Sequence, residues 1–395
     1  MTAAGAGDSP VDGPTVAVVG GGQLARMMQQ AAIGLGVPLR LLAEGADVSA
    51  AQVVRDPLVG DYRNLDLLRE VGRGCAVMTF DHEHVPTAHL HALEAEGLAC
   101  RPGPGALVHA QDKLVMRERL TALDLPCPRW RSVSDAAGLD AFAASVGGYP
   151  VVVKTPRGGY DGKGVWVVDD ASGLPDAGTP LLAEERVDFA RELAVLVARS
   201  PSGQSAVYPV VESVQRRGVC REVTAPAPGL APELAVAAQQ VALGIAGALD
   251  VTGVLAVELF ETRDGRVLVN ELAMRPHNTG HWSIDGAVTS QFENHLRAVL
   301  DLPLGDTRAR APWTVMVNIL GGESDAAVGR LFEGYPHVLA RDPGVRVHLY
   351  GKAVRPGRKV GHTTAFGADL DRVRERARHA AGWFDGTVDD SEGES

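Results

Sequence analysis

Two apolar runs, Val254-Leu-Ala-Val-Glu-Leu-Phe260 and Val267-Leu-Val-Asn-Glu-Leu-Ala273, flank an Asp264-Gly265 pair, and no other feature of the chain restricts its fold as tightly. Such runs read as an antiparallel hairpin, and a two-residue loop at Asp264-Gly265 sets the register that puts Glu258 opposite Glu271. Like charges facing each other across a ladder cost up to ~1 kcal/mol, and more among Val, Leu and Phe, so the pairing requires a compensating cation. Two carboxylates with the amide of Asn270 are hard oxygen ligands, suited to Mg²⁺, or Mn²⁺ in its place, shared with nucleotide phosphates. A longer loop shifts the register and sends both glutamates to a wet face instead.

Upstream, Tyr149-Pro-Val-Val-Val-Lys154 reads as a buried strand ending in lysine, with Val165-Trp-Val-Val168 as its partner. Between them Thr155-Pro-Arg-Gly-Gly-Tyr-Asp-Gly-Lys-Gly164 places glycines at 158, 159, 162 and 164, where backbone N–H groups can approach an anion, and Lys154 and Lys163 add charge for phosphates. No Gly-Lys-Ser/Thr opens a helix here, so this is not a Walker loop; a flexible hairpin with glycines for turn geometry is the plainer alternative.

A chain of 395 residues exceeds what one core supports, which predicts two or three domains. The net charge of −11 argues against a nucleic-acid partner and requires local basic clusters wherever anions bind. Cys75, Cys100, Cys127 and Cys220 are scattered, with no CxxC spacing, and read as reduced thiols of a cytoplasmic protein. No apolar run approaches ~20 residues, so no membrane partner is expected.

Residues 1–13 and 385–395 read as disordered tails. Thr15-Val-Ala-Val-Val19, a Gly-rich turn, a helix from about Gln23 to Leu35, a strand over 37–42 and a further strand over 76–80 form a βαβ half of Rossmann type, predicted to end at 112. Residues 113–306 follow, with the Gly-rich loop in a subdomain of about 125–188; helices are expected near 112–123, 232–249 and 290–299. From 307 to 384 the composition predicts a small β-rich domain. Gly20-x-Gly22-x-x-Ala25 with Glu44 satisfies a dinucleotide fingerprint, so an NAD-dependent oxidoreductase is the rival reading; it leaves Lys154, the Gly-rich loop and the facing carboxylates without a purpose.

The strand lysine, the Gly-Gly-Tyr-Asp-Gly-Lys-Gly loop, Ala183-Glu-Glu-Arg-Val187, Glu258 and Asn270-Glu271 resemble the ATP-grasp superfamily in order and spacing. With Gly20-Gly-Gly-Gln-Leu-Ala25, His277-Asn-Thr-Gly-His-Trp282 and Arg355-Pro-Gly-Arg-Lys-Val-Gly-His362, the chain is similar, from about 15 to 382, to the N5-carboxyaminoimidazole ribonucleotide synthases. The resemblance implies a multidomain α/β and α+β fold, with a Rossmann-like pre-ATP-grasp domain, an ATP-grasp domain and a β-rich C-terminal domain. It implies ATP, bicarbonate and 5-aminoimidazole ribonucleotide as partners, and a cytoplasmic homodimer. Formate-dependent glycinamide ribonucleotide transformylase shares the machinery and is the alternative within the superfamily.

The same resemblance implies residue roles. Lys113 and Lys154 contact ATP phosphates beneath a flap of Gly159, Tyr160, Asp161, Gly162, Lys163 and Gly164, with Asn270 and Glu271 beyond. Glu184, Glu185, Arg186 and Val187 line the adenine, with Glu184 accepting from its amino group, and Glu192 binds the ribose. Gln215 stands where relatives often carry His. Glu258, Glu271 and Asn270 hold the metal. Arg275, His277 and Asn278, with Lys154, are the catalytic set, the first three fixing bicarbonate and the transferred carboxylate. Gly22, Gln23 and Leu24, Glu83 of Phe80-Asp-His-Glu83, Tyr160, and the cations Lys352, Arg355, Arg358 and Lys359 hold the ribonucleotide, whose phosphate suits a helix N-terminus.

Overall fold

The computed structural model describes residues 13–159, 162–216, 218–322 and 331–388. It divides into two compact units, with the sequence boundary between Arg101 and Pro102. In the first, a parallel sheet is ordered Leu58–Val59, Leu39–Ala43, Val16–Val19, Val77–Phe80. Val16–Val19 is buried throughout, as an unbroken Val/Ala run between parallel neighbours must be. Helix Gln23–Leu35 buries Leu24, Ala25, Met27, Met28 and Ala32. Gly36 ends it at φ 65°, and the Val37 N–H returns to Ala32 O at 3.0 Å. Val37 thus closes the helix, and the second strand starts at Leu39 instead of at the expected 37.

The second unit holds two antiparallel sheets. The smaller is ordered Trp130–Val133, Leu181–Glu185, Val151–Lys154, Val165–Val168, with Lys154 registered against Val165 as the hairpin reading requires. Helix Ala136–Ser145 packs Leu139, Phe142 and Ala143 against it. The larger sheet runs Val267–Ala273, Gly253–Thr262, Phe189–Arg199, Val211–Arg216, Val219–Ala225, Trp313–Leu320, Lys359–Gly367, Arg346–Leu349, and Ser205–Val207 pairs with Phe189–Arg199 off this path.

Strands beyond 307 continue the larger sheet through Val219–Ala225, with Glu222 registered against Val317, and helix Leu370–Asp385 covers one face of this extension. The C-terminal region therefore shares its backbone ladder with the preceding one. Helix Pro104–Gln111, absent from the sequence reading because its apolar residues show no helical stripe, falls in the second unit. Asp112 caps the next helix, Lys113–Ala122, by accepting from the Leu114 and Val115 N–H groups. No described helix is long and apolar enough to cross a membrane, and the four cysteines are unbridged.

Candidate active site

The loop between the two glutamate strands has three residues, not two. The Thr262 N–H donates to Arg266 O at 2.9 Å, and Glu261, Phe260 and Leu259 pair with Val267, Leu268 and Val269, one residue away from the register a two-residue loop sets. Gly265, φ 79°, takes the left-handed position such a turn needs. A bulge at Glu258/Leu259 then skips Asn270 and restores Glu258 opposite Glu271. The facing pair is as expected because two departures cancel. The bulge also frees Asn270 from the alternation of a regular strand. Its Oδ1 accepts from Lys154 Nζ at 3.1 Å, while Glu271 Oε1 accepts from Lys113 Nζ at 2.7 Å.

Lys113 and Lys154 thus converge on the bulge from two elements, and Arg117 joins them. One helical turn after Lys113, Arg117 is fully buried and donates to the Asn270 carbonyl at 2.8 Å. Its Nε donates to Glu184 Oε1 at 2.5 Å, and Lys154 pairs with Glu184 Oε2 at 2.7 Å. Burial acts to raise the Glu184 pKa, but Lys154 and Arg117 overcome it and hold the carboxyl at about 2. Glu184 therefore anchors two cations, where the sequence reading gives it the adenine amino group; both of its oxygens are already engaged. Arg117 escapes the sequence reading, although its i+4 spacing from Lys113 places the two on one helix face. Glu185 is tied to Arg129, through the backbone N–H and Nε, each at 2.8 Å, beside exposed Arg186 and half-buried Val187.

On the larger sheet Ala194, Glu258 and Glu271 stand in line across three strands, with Glu192 two residues along from Ala194 on the same face. Burial and then the charges of Glu271 and Glu192 push the Glu258 carboxyl up to about 8, against the opposing pull of Lys359 and Arg275. Burial alone raises Glu192 to about 7. Carboxylates so placed fit a bound cation. Among the described residues there is no group of three or more His, Cys, Asp or Glu that could hold a metal ion by itself. Gln215 is half-buried after a second bulge at Val214/Gln215.

His277 Nε2 lies 3.6 Å from Glu258 Oε1. Burial, then the charges of Arg275 and Lys359, hold the imidazole well below its ordinary range, so it faces Glu258 as a neutral ring. Asn278 follows, buried in a short 3₁₀ turn. The basic run after residue 350 does not act as one patch. Lys359 exerts its charge on Glu258, His277 and His281, whereas Arg355 is exposed on a turn that Arg358 closes by donating its N–H to Arg355 O at 3.0 Å. Lys352 Nζ lies 5.8 Å from the Tyr350 ring centroid. In the flap, Gly164 at φ 72° would put a Cβ 2.4 Å from Thr155 Oγ1, and a Cβ on Gly159 would lie 2.8 Å from Lys163 O. Tyr160 and Asp161 lie outside the described residues.

In the first unit the Gly-rich turn is already satisfied. Asp81 accepts from the Gly22 and Ala25 N–H groups at 2.5 and 3.1 Å, and Glu44 accepts from Gly21 N–H at 2.9 Å. The expectation that this helix N-terminus receives a phosphate therefore meets amides held by carboxylates, an acidic corner that repels a second anion. The same contacts remove the dinucleotide reading: Glu44 serves the turn itself, at a pKa of about 2 that burial raises and His82 and Gly21 lower. The sequence directs attention to Glu83, which is buried, and not to Asp81 two residues before it.

Comparison with known proteins shows the family. The ribonucleotide synthetase preATP-grasp domain family matches residues 14–111, the ATP-grasp domain 118–292 and the phosphoribosylaminoimidazole carboxylase C-terminal domain 314–376. The chain is 58% identical to the N5-carboxyaminoimidazole ribonucleotide synthase of Mycobacterium leprae (strain TN), over 94% of this chain and 89% of that protein. The crystal structure of the Thermus thermophilus synthetase superposes with a TM-score of 0.82 at 38% identity, covering 93% of this chain and 97% of that one. That of the Aspergillus clavatus synthase in complex with ADP and 5-aminoimidazole ribonucleotide gives 0.83 at 29%, covering 95% and 99%. With its bulged glutamate hairpin, converging lysines and all three domain matches, the chain belongs to the N5-carboxyaminoimidazole ribonucleotide synthase family of ATP-grasp ligases.

Proposed function

We propose that the chain uses ATP to activate bicarbonate as carboxyphosphate and transfers the carboxyl group to the 5-amino group of 5-aminoimidazole ribonucleotide. The products are N5-carboxyaminoimidazole ribonucleotide, ADP and phosphate. The observation that carries the reading is the Asn270 bulge, where two lysines converge on a pair of neighbouring strands whose glutamates face each other. Phosphoryl transfer depends on positioning and charge neutralisation, which this corner supplies.

Mg²⁺ would be held by Glu258 and Glu271 with Asn270, and when bound it neutralises and orients the phosphates. Lys113 and Lys154 would bind the phosphates, and Glu184 keeps Lys154 in place. The 159–164 flap, with Tyr160 and Asp161, covers the nucleotide and keeps water from a short-lived carboxyphosphate. Val187 and its neighbours wall the adenine, and Glu192 takes the ribose. Arg275 and Asn278 orient the bicarbonate, and neutral His277, whose Nδ1 accepts from the Thr279 N–H, keeps its ring proton on Nε2, directed at Glu258. Lys352, Arg358 and Lys359 are the cations for the ribonucleotide, and a homodimer is the working assembly. ADP release with each amine, with and without bicarbonate, tests the reading: dependence on aminoimidazole ribonucleotide and bicarbonate supports it, and dependence on glycinamide ribonucleotide and formate overturns it.

A further inference from the structure

Buried side-chain polar atoms without a hydrogen-bond partner gather in one interlayer of the second unit. Apart from single atoms of His82 and His337, those among the described residues belong to Asn278, His281, Trp282, Thr314, Asn318, His362 and Thr364. Asn318 is registered opposite His362 on the strands Trp313–Leu320 and Lys359–Gly367, and Thr364 lies two residues on, along the same face. The segment carrying Asn278, His281 and Trp282 lies against that face. The rings of His281 and His362 are 5.3 Å apart. A Cβ on Gly286 would sit 2.6 Å from Thr314 Oγ1. The Asn278 amide borders the Cys220 thiol, and the Cys220 carbonyl accepts from Asn318 Nδ2 at 2.9 Å. All seven residues are at least nine-tenths buried.

Gln291 Oε1 accepts from the His277 N–H at 2.8 Å, so its amide nitrogen is the donor to His277 O at 2.7 Å and to His281 Nδ1 at 3.0 Å. His281 Nδ1 is then an acceptor, which assigns the ring proton to Nε2, a buried donor that meets no protein acceptor. Asn318 is the converse: its Nδ2 serves Cys220, and its Oδ1 is an unmatched acceptor. His362 Nδ1 bonds the Tyr350 hydroxyl at 2.7 Å and leaves Nε2 over. Interleaved donors and acceptors with no net charge select a ligand that both donates and accepts, which is water.

We propose that this interlayer is a built internal water site, and that His281 and His362 act through it as positioning residues for Asn278. The second half rests on the proposed role of Asn278; the first does not. A high-resolution crystal structure of the full chain without substrates tests the first half. Water density about 2.7–3.2 Å from His281 Nε2 and Asn318 Oδ1 is expected, and a dry interlayer or a metal-strength peak overturns the proposal. For the second half, kcat of ADP release should fall about tenfold in His362→Phe, the rate equivalent of one neutral hydrogen bond, with KM for ATP unchanged. His362→Gln, which keeps an amide for the water, should recover most of that loss; equal losses in both variants overturn the positioning role. Because the density is read without turnover, a failure of the carboxylation reading leaves the water site standing, and the reverse also holds.

Discussion

Replacing Glu184 by Gln keeps the shape of the side chain and removes the charge that holds Arg117 and Lys154. Glu184 is 2% exposed and Arg117 is fully buried, so solvent does not take over the neutralisation. Removing one partner of such a buried set costs about 3–5 kcal/mol. The pKa of the carboxyl reflects the same two ion pairs and gives a figure of the same order. Its pKa falls from 4.5 to about 2 on folding, and that difference, at about 1.4 kcal/mol per unit, corresponds to roughly 3 kcal/mol. Because the folded pKa is depressed, this stability is fully present above 4.5 and is lost as pH falls towards about 2. Urea unfolding of wild type and Glu184→Gln at pH 7, then at steps down through that window, reads both quantities. The expected result is a variant about 3 kcal/mol or more less stable at pH 7, with a flatter acid limb. A variant within about 1 kcal/mol of wild type, or one equally acid-sensitive, would refute the reasoning.

Glu271→Gln should abolish ADP release while leaving the unfolding midpoint nearly unchanged, because Glu271 is half-exposed; near-normal turnover would remove it from the metal pair. Glu258 sits at about 8 without a cation, so a proton must leave before metal binds. Metal affinity in calorimetry should therefore rise about tenfold per pH unit up to about 8 and level off above, and a pH-independent affinity would contradict the assignment. Gly164→Ala meets both a positive φ of 72° and a 2.4 Å contact with Thr155 Oγ1. A strain of about 1–3 kcal/mol at the base of the flap should raise KM for ATP several-fold with little change in melting temperature; unchanged KM would show that the flap tolerates the side chain.

The sequence shows two strands of the smaller sheet and three of the larger, the lysine at the end of Val151–Lys154 and the facing glutamates, because burial on a ladder writes itself as apolar runs. It shows the glutamate register only through cancelling errors: loop length and the skipped Asn270 each shift the ladder by one residue, and a run of Val and Leu records neither. Arg117 and Asp81 are hidden for a different reason. An arginine mid-helix and an aspartate after a strand read as surface residues until the fold supplies Glu184 for one and the Gly22 amide for the other. The meeting of His281 with His362 is a fact of sheet topology, since the strand that carries His362 reaches the site by extending the larger sheet. The basic run at 352–359 reads as one patch, but its members sit on a turn and at a strand start, facing different surroundings.

Glu258 and Glu271, brought face to face by a bulged strand, are proposed to hold the ion that anchors the nucleotide phosphates. Anomalous diffraction from crystals grown with ADP and Mn²⁺ tests it most directly. The expected result is a manganese peak about 2.1 Å from oxygens of both carboxylates and of a phosphate, with Lys113 moved from Glu271 to the phosphate. A peak elsewhere, or a nucleotide bound while Lys113 stays on Glu271 and neither carboxylate touches metal, would contradict it.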